Sequence, residues 1–158
     1  LHEPARDGPA REQRVNLRLL AERVASAAAL GSRGNVVVEA PDEWAVTDPD
    51  RLERALLNLL DNALKYTPED APVHLIVVRE GDRLSVTVAD RGPGVSPDIL
   101  PRMFTPYTTD PSRSDGTGLG LNSVKRLVQD IGGQISYSRF REWTRFTITL
   151  PDLEEAKA

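Results

Sequence analysis

Apolar positions along the chain repeat with two periods, and the switches between them mark out the elements. Between Val15 and Leu30 the side chains Val15, Leu19, Leu20, Val24, Ala27 and Ala28 form a helical stripe that Gly31 stops. Asn35 to Glu39 and Ala45 to Thr47 are short β-branched runs around a Pro-Asp turn and read as two strands. Asp48 followed by Pro49 is an N-cap and first-turn signal, and helical spacing runs from there to Tyr66. Pro68 and Pro72 then bracket a loop. Val73 to Arg79 and Arg83 to Asp90 flank Glu80-Gly81-Asp82 as a hairpin. A Gly/Pro-rich turn covers Arg91 to Pro97, Pro97 to Phe104 reads as a short helix, and the polar Thr105 to Gly116 as a mobile loop. Leu119 to Ile131 is helical up to Gly132-Gly133, and Gln134 to Phe140 and Thr144 to Leu150 are two closing strands. Mixed order with adjacent hairpins predicts an α+β two-layer sandwich, a mostly antiparallel mixed sheet with helices on one face.

Composition narrows the function classes. The 158 residues, 39% of them apolar, suffice for one domain with its own core. Twenty basic against 24 acidic side chains give a formal charge of −4, the wrong balance for a non-specific nucleic-acid partner. The absence of cysteine excludes disulfides, thiolate metal sites and a thiol nucleophile. No apolar run approaches the roughly 20 residues that cross a bilayer, so direct membrane insertion is not expected. The chain opens on Leu1 with no signal segment, and reads as a soluble piece of something longer. Residues 1–13, with Pro4, Gly8 and Pro9 among charges, are expected as a loose leader, 14–151 as the domain and 152–158 as a charged tail. Only Lys65, Lys125 and Lys157 are lysines, so one inside a motif stands out.

Three polar constellations are left over once the core positions are assigned. On the helix from Asp48 to Tyr66, Leu52, Leu56, Leu59, Leu60 and Ala63 form the packing side, while Asn58, Asn62 and Lys65 lie within about 60° of one another on a separate stripe. Each fits a solvated face on its own, but two asparagines at i, i+4 lower helix stability. A carboxamide oxygen suits a magnesium ion that keeps its waters and bridges phosphates, and an ammonium could meet the phosphate charge. Asp90, heading Asp90-Arg91-Gly92-Pro93-Gly94, continues the parity of Leu84, Val86 and Val88 and so points to the inner side of the sheet edge. It needs a donor there, either a backbone N–H of the next turn or a ligand's exocyclic amine. Gly116-Thr117-Gly118-Leu119-Gly120-Leu121 runs into a helix N-terminus, where exposed N–H groups favour an anion. That string matches neither the P-loop nor the dinucleotide fingerprint.

Taken in order, these segments resemble the ATP-binding catalytic domain of bacterial sensor histidine kinases, within the wider Bergerat-fold ATPase group. Asn58 to Pro68 is similar to that family's N box, Asp90 to Val95 to its G1 box, Met103 to Tyr107 to its F box and Gly116 to Leu121 to its G2 box. The resemblance covers roughly Val15 to Pro151 and implies the α/β sandwich read from the element order. It implies ATP and Mg2+ as cofactors, with Asn62 as the metal ligand and Asn58 and Lys65 near the phosphates in the catalytic role. Tyr66 would lie over the base or ribose, and Asp90 would accept from the adenine amino group. Gly92, Gly94 and Val95 would line the base pocket. Thr105 to Asp115 would be a lid hinged at Phe104 and at the glycines, with Gly116, Thr117, Gly118, Leu119, Gly120 and Leu121 around the phosphates. Thr144 aligns with a threonine that helps hold the base. Two departures stand out: the last hairpin turn, Phe140-Arg141-Glu142-Trp143, lacks the usual glycines, and the lid is short and polar, which leaves its triphosphate contacts unassigned with Arg113 as a candidate.

Position 58 separates members of the group. Hydrolytic relatives resemble one another in carrying a glutamate there to activate water, whereas Asn58 cannot serve as a general base. Phosphoryl transfer to an external acceptor is therefore expected, this domain supplying positioning and charge neutralisation. His2-Glu3-Pro4 has a helix-breaking proline where the acceptor motif needs a helix, and His74 lies in a strand, so neither histidine is read as the acceptor. The implied partners are a dimerisation and phosphoacceptor domain, as a homodimer in the full-length protein, and a response regulator. The implied location is cytoplasmic, either free or as the cytosolic part of a membrane-anchored sensor. The alternatives are an inactive nucleotide-binding regulatory module and an anti-sigma-type serine kinase.

Overall fold

Asp48 fixes the start of the central helix. In the computed structural model, which describes residues 8–31, 34–68, 70–106 and 120–151, Asp48 has extended backbone and its Oδ1 accepts the Arg51 N–H at 3.2 Å. Pro49 then occupies the first helical position, where its missing N–H removes no bond. Strand β1 (Gln13–Asn16) precedes helix α1 (Leu17–Leu30), and β2 (Val36–Glu39) and β3 (Trp44–Thr47) precede helix α2 (Pro49–Tyr66). The hairpin β4 (Val73–Glu80) and β5 (Arg83–Asp90), helix α3 (Leu121–Asp130) and the hairpin β6 (Gln134–Phe140) and β7 (Trp143–Leu150) complete the order.

The main sheet has five strands in the order β2-β4-β5-β7-β6, with β2 parallel to β4 and every other pair antiparallel. Its inner face packs under the helices. Leu75, Val86 and Ile148 from the sheet, Leu52, Leu56 and Leu60 from α2 and Val24 from α1 are all essentially inaccessible to solvent. On the other face Thr87 and Thr147 share a 2.9 Å hydroxyl hydrogen bond between neighbouring strands. That division of apolar and polar faces is the two-layer sandwich expected from the element order. Among the described residues no helix is long and apolar enough to cross a membrane.

Three local expectations are corrected. The first helix begins at Leu17, because the Asn16 side chain accepts the Leu19 N–H at 3.0 Å and caps it. Val15 belongs instead to β1, which pairs antiparallel with β3 in a separate two-stranded sheet. The buried side of α1 is consequently Leu17, Leu20, Ala21, Val24 and Ala25, and Leu19 is exposed. Pro97 to Phe104 forms only a single 3-10 turn over Leu100–Arg102, since Pro101 has no N–H for a longer ladder. The third helix starts at Leu121 rather than Leu119, behind a left-handed Gly120 with φ 71°. The expected mobile loop is described only as far as Pro106, and 107–119 lie outside the described residues.

A buried ion pair ties the leader to the body. Arg51 and Asp48 meet at 2.8 Å with side chains 4% and 7% exposed. Arg51 Nη2 also donates to the Gly8 carbonyl, Arg11 N–H donates to Asp48 Oδ2 at 2.9 Å, and Arg51 Nε lies 3.6 Å from Asp130 at the end of α3. Residues 8–13, expected as loose, are held to the domain at these points. Burial pushes the Asp48 carboxyl up, but the backbone N–H groups of Arg11 and Arg51 and the Arg51 guanidinium outweigh it, and its pKa is lowered from the ordinary value.

Candidate active site

Strand parity delivers Asp90 to the inner side of the sheet. It follows Leu84, Val86 and Val88 on the buried face of β5, is 8% exposed, and its Oδ1 accepts the Gly92 N–H at 2.7 Å. The backbone partner considered from the sequence is therefore present, and the same carboxylate also borders a cavity. Strand register sets Asp90 opposite Thr144 of β7, and Thr144 opposite Arg139 of β6. The last turns of α2 face this row with Asn62 and Tyr66. The cavity between them has Leu59, Leu121 and Phe146 as apolar walls and Asn62, Tyr66, Asp90 and Thr144 as polar groups. A mostly apolar slot with an anionic acceptor and a hydroxyl side by side is suited to a flat heterocycle with polar edges.

The turn after β5 is held from β6. The Tyr137 hydroxyl accepts the Val95 N–H at 3.0 Å, and Arg139 Nη1 donates to the Gly92 carbonyl at 2.8 Å and to Thr144 Oγ1. Gly92 fits because a Cβ there would lie 2.9 Å from Asp90 Oδ1 and 3.0 Å from the Tyr66 carbonyl oxygen. Gly94 has φ +75°, and a Cβ would lie 2.9 Å from both Arg139 Nη1 and the Tyr137 hydroxyl. Gly94→Ala adds a left-handed penalty to that clash. It is expected to destabilise the domain by about 2 kcal/mol, read as a Tm lower by roughly 4–8 °C in a thermal melt.

At the far end of the cavity α3 begins behind Gly120, which has no side chain with which to cap the first N–H groups. Asn58 faces that end, its Oδ1 lying 3.7 Å from where a Gly120 Cβ would stand. Asn122 Nδ2 donates to the Phe104 carbonyl at 3.2 Å, and Lys125 Nζ lies 5.9 Å from the Phe104 ring centre, fastening the segment after the 3-10 turn to α3.

The three polar residues on one stripe of α2 thus meet three different surroundings. Asn62 borders the cavity, Asn58 faces Gly120, and Lys65 lines a groove between α1 and α2 with Ala27, Ala28 and Asp61. Val95 is buried under the turn and Phe104 packs on the core. Gly116, Thr117, Gly118, Leu119 and Arg113 lie outside the described residues, whereas Gly120 and Leu121 stand at the helix start. Sequence reasoning missed Tyr137 and Arg139. Their alternation with Ile135 on one strand was the available signal, but nothing local says which turn they reach. The glycine-free turn after β6 closes with Arg141 in the left-handed region, φ 56°.

These features make a cavity of the shape and polarity that suit a nucleotide, within a two-layer sandwich. The sequence profile of the histidine kinase-, DNA gyrase B- and HSP90-like ATPases matches residues 47–154, and the chain belongs to that family. The sensor histidine kinase ZraS of Salmonella typhimurium is 41% identical over 106 residues, 66% of this chain. The chain spans about a fifth of that relative's length, the alignment covering 22% of it. The catalytic domain of histidine kinase ThkA superposes with a TM-score of 0.78 at 23% identity, covering 90% of this chain and 96% of that one. Full-length ShkA, solved in complex with AMPPNP, superposes with a TM-score of 0.70 at 29% identity, covering 90% of this chain and 31% of that one.

Proposed function

We propose that this chain is the ATP-binding catalytic part of a sensor histidine kinase. It holds Mg-ATP with the base in the Asp90 cavity and the phosphates toward Gly120 and Asn58. It passes the γ-phosphoryl group to a histidine of a dimerisation domain outside this chain, and a response regulator then takes the phosphoryl group. The homodimeric parent works in the cytoplasm, free or as the cytosolic part of a membrane-anchored sensor. AMPPNP bound to ShkA and the histidine kinase identities of ZraS and ThkA support the reading.

The observation that carries transfer over hydrolysis is Asn58. A carboxamide at the phosphate end can orient oxygens and donate hydrogen bonds, but cannot take a proton from water. This chain's part is then to bind, orient and neutralise, while the nucleophile arrives with the acceptor histidine.

Mg2+ fits the donors present. Among the described residues no group of three or more His, Cys, Asp or Glu could cage a metal. Asn62 offers one hard neutral oxygen beside the cavity, matching an ion held by phosphates, waters and a single side chain. Beside Asn62 the ion would supply positive charge that offsets that of the phosphates. Lys65, which also lines the α1–α2 groove, is assigned a supporting phosphate role.

Calorimetry of this chain with ATP and its non-hydrolysable analogue, with and without magnesium, tests the binding. Magnesium-dependent binding is expected, and none overturns the assignment. Joining the upstream domain and following radiolabel from ATP tests the transfer. Acid-labile, base-stable label on a histidine is expected. Intact binding without label supports an inert module, and label on a serine of a separate partner supports an anti-sigma-type kinase.

A further inference from the structure

Arg139 sits at the end of a row of three side chains crossing adjacent strands, Asp90 on β5, Thr144 on β7 and Arg139 on β6. Thr144 is 2% exposed, borders the cavity beside Asp90, and takes a hydrogen bond from Arg139 Nη1. The same nitrogen donates its other proton to the Gly92 carbonyl at 2.8 Å, so both its N–H bonds are committed and the guanidinium is fixed in place. An unassisted threonine hydroxyl turns either as donor or as acceptor. A guanidinium has no acceptor, so Thr144 can meet Arg139 only through an oxygen lone pair. The cation polarises the hydroxyl, which strengthens its O–H as a donor and weakens its remaining lone pair as an acceptor.

We propose that Arg139 is a positioning residue that sets base specificity by making Thr144 a hydrogen-bond donor toward the cavity. Asp90 is then an acceptor and Thr144 a donor, side by side. A purine edge with an exocyclic amine next to a bare ring nitrogen fits that pair directly. An edge with a carbonyl next to a ring N–H presents the reverse order and is rejected. Adenine carries the first edge and guanine the second. The inference rests on the site being an adenine-nucleotide site, and adds to it the group that orients the threonine.

The test compares ADP with 1-deaza-ADP, in which the ring nitrogen beside the amine is a C–H. The unaltered chain is expected to bind ADP about tenfold more tightly than the deaza analogue, the cost of leaving a buried donor without its acceptor. Arg139→Met, which keeps the length of the stem but no donor, is expected to reduce that preference to about twofold or less, and Arg139→Lys to restore part of it. Thr144→Val is expected to abolish the preference, with no further loss on adding Arg139→Met. Equal binding of the two nucleotides by the unaltered chain overturns the inference without needing any variant. A preference kept in a folded Arg139→Met chain overturns it as well, leaving Arg139 only the Gly92 turn to hold. Failure of the unaltered chain to bind ADP at all is a different result and overturns the nucleotide assignment itself.

Discussion

Replacing Asp90 with asparagine is expected to weaken adenine-nucleotide binding by about 100-fold, the size of a lost charge-assisted hydrogen bond together with a misplaced donor. Asparagine retains one oxygen that can accept the Gly92 N–H, now made at 2.7 Å, so the turn after β5 keeps its closure. Its second terminal atom becomes an NH2 group, which meets the exocyclic amine of adenine donor to donor. The side chain has nearly the same volume in a position that is 8% exposed, so the fold has little reason to change. Calorimetry with ADP should therefore show the loss, while a thermal melt in the absence of nucleotide moves by no more than about 2 °C. Undiminished binding would confine Asp90 to its backbone role in the turn.

The second large effect is on stability. Arg51→Met is expected to cost about 3 kcal/mol and to lower Tm by roughly 10 °C, because it leaves Asp48 charged and buried without its cation. The pair is 2.8 Å apart with both side chains nearly inaccessible, and Arg51 also reaches Gly8 and α3 through Asp130. A second change, Asp48→Asn, should recover more than half of the loss. Asparagine caps a helix about as well as aspartate, and it carries no charge that needs a partner.

The same pair sets an acid dependence. The Asp48 pKa is lowered in the folded chain, so its contribution is complete above the ordinary carboxylate range. It is lost as pH falls from about 4 through the lower folded value. Urea unfolding between pH 6 and pH 3 should show a steeper loss for the unaltered chain than for the Asp48→Asn, Arg51→Met double variant.

Much of the site was legible because it depends on local periods. The alternation of Leu84, Val86 and Val88 placed the Asp90 side chain inside before any contact was known. The Asp48-Pro49 pair located the start of α2 to the residue, and the inward leucines oriented that helix. The stripe of Asn58, Asn62 and Lys65 was legible only in part. Period alone put them together, yet each lies against a different neighbour, since what an exposed stripe meets is decided by the elements that flank the helix. Val15 failed for a related reason. Its apolar side chain matched the helical period, but pairing with β3 held it extended, and Asn16 offered a cap one residue later.

By itself, then, the sequence determined the sandwich, the inward carboxylate of Asp90, the glycines of the turn and the absence of a base at Asn58. All of these follow from interactions within a few residues, or from the chemistry of a single side chain. Only the tertiary structure decided that Arg139 reaches Thr144 and Gly92, that Tyr137 receives Val95, and that Arg51 binds the leader to two helices. Arg139 and Gly92 are 47 positions apart, and the contacts of Arg139 and Tyr137 depend on strand register and sheet order. A shift of one residue in the β6–β7 pairing would turn Arg139 to the opposite face and leave the local sequence pattern unchanged.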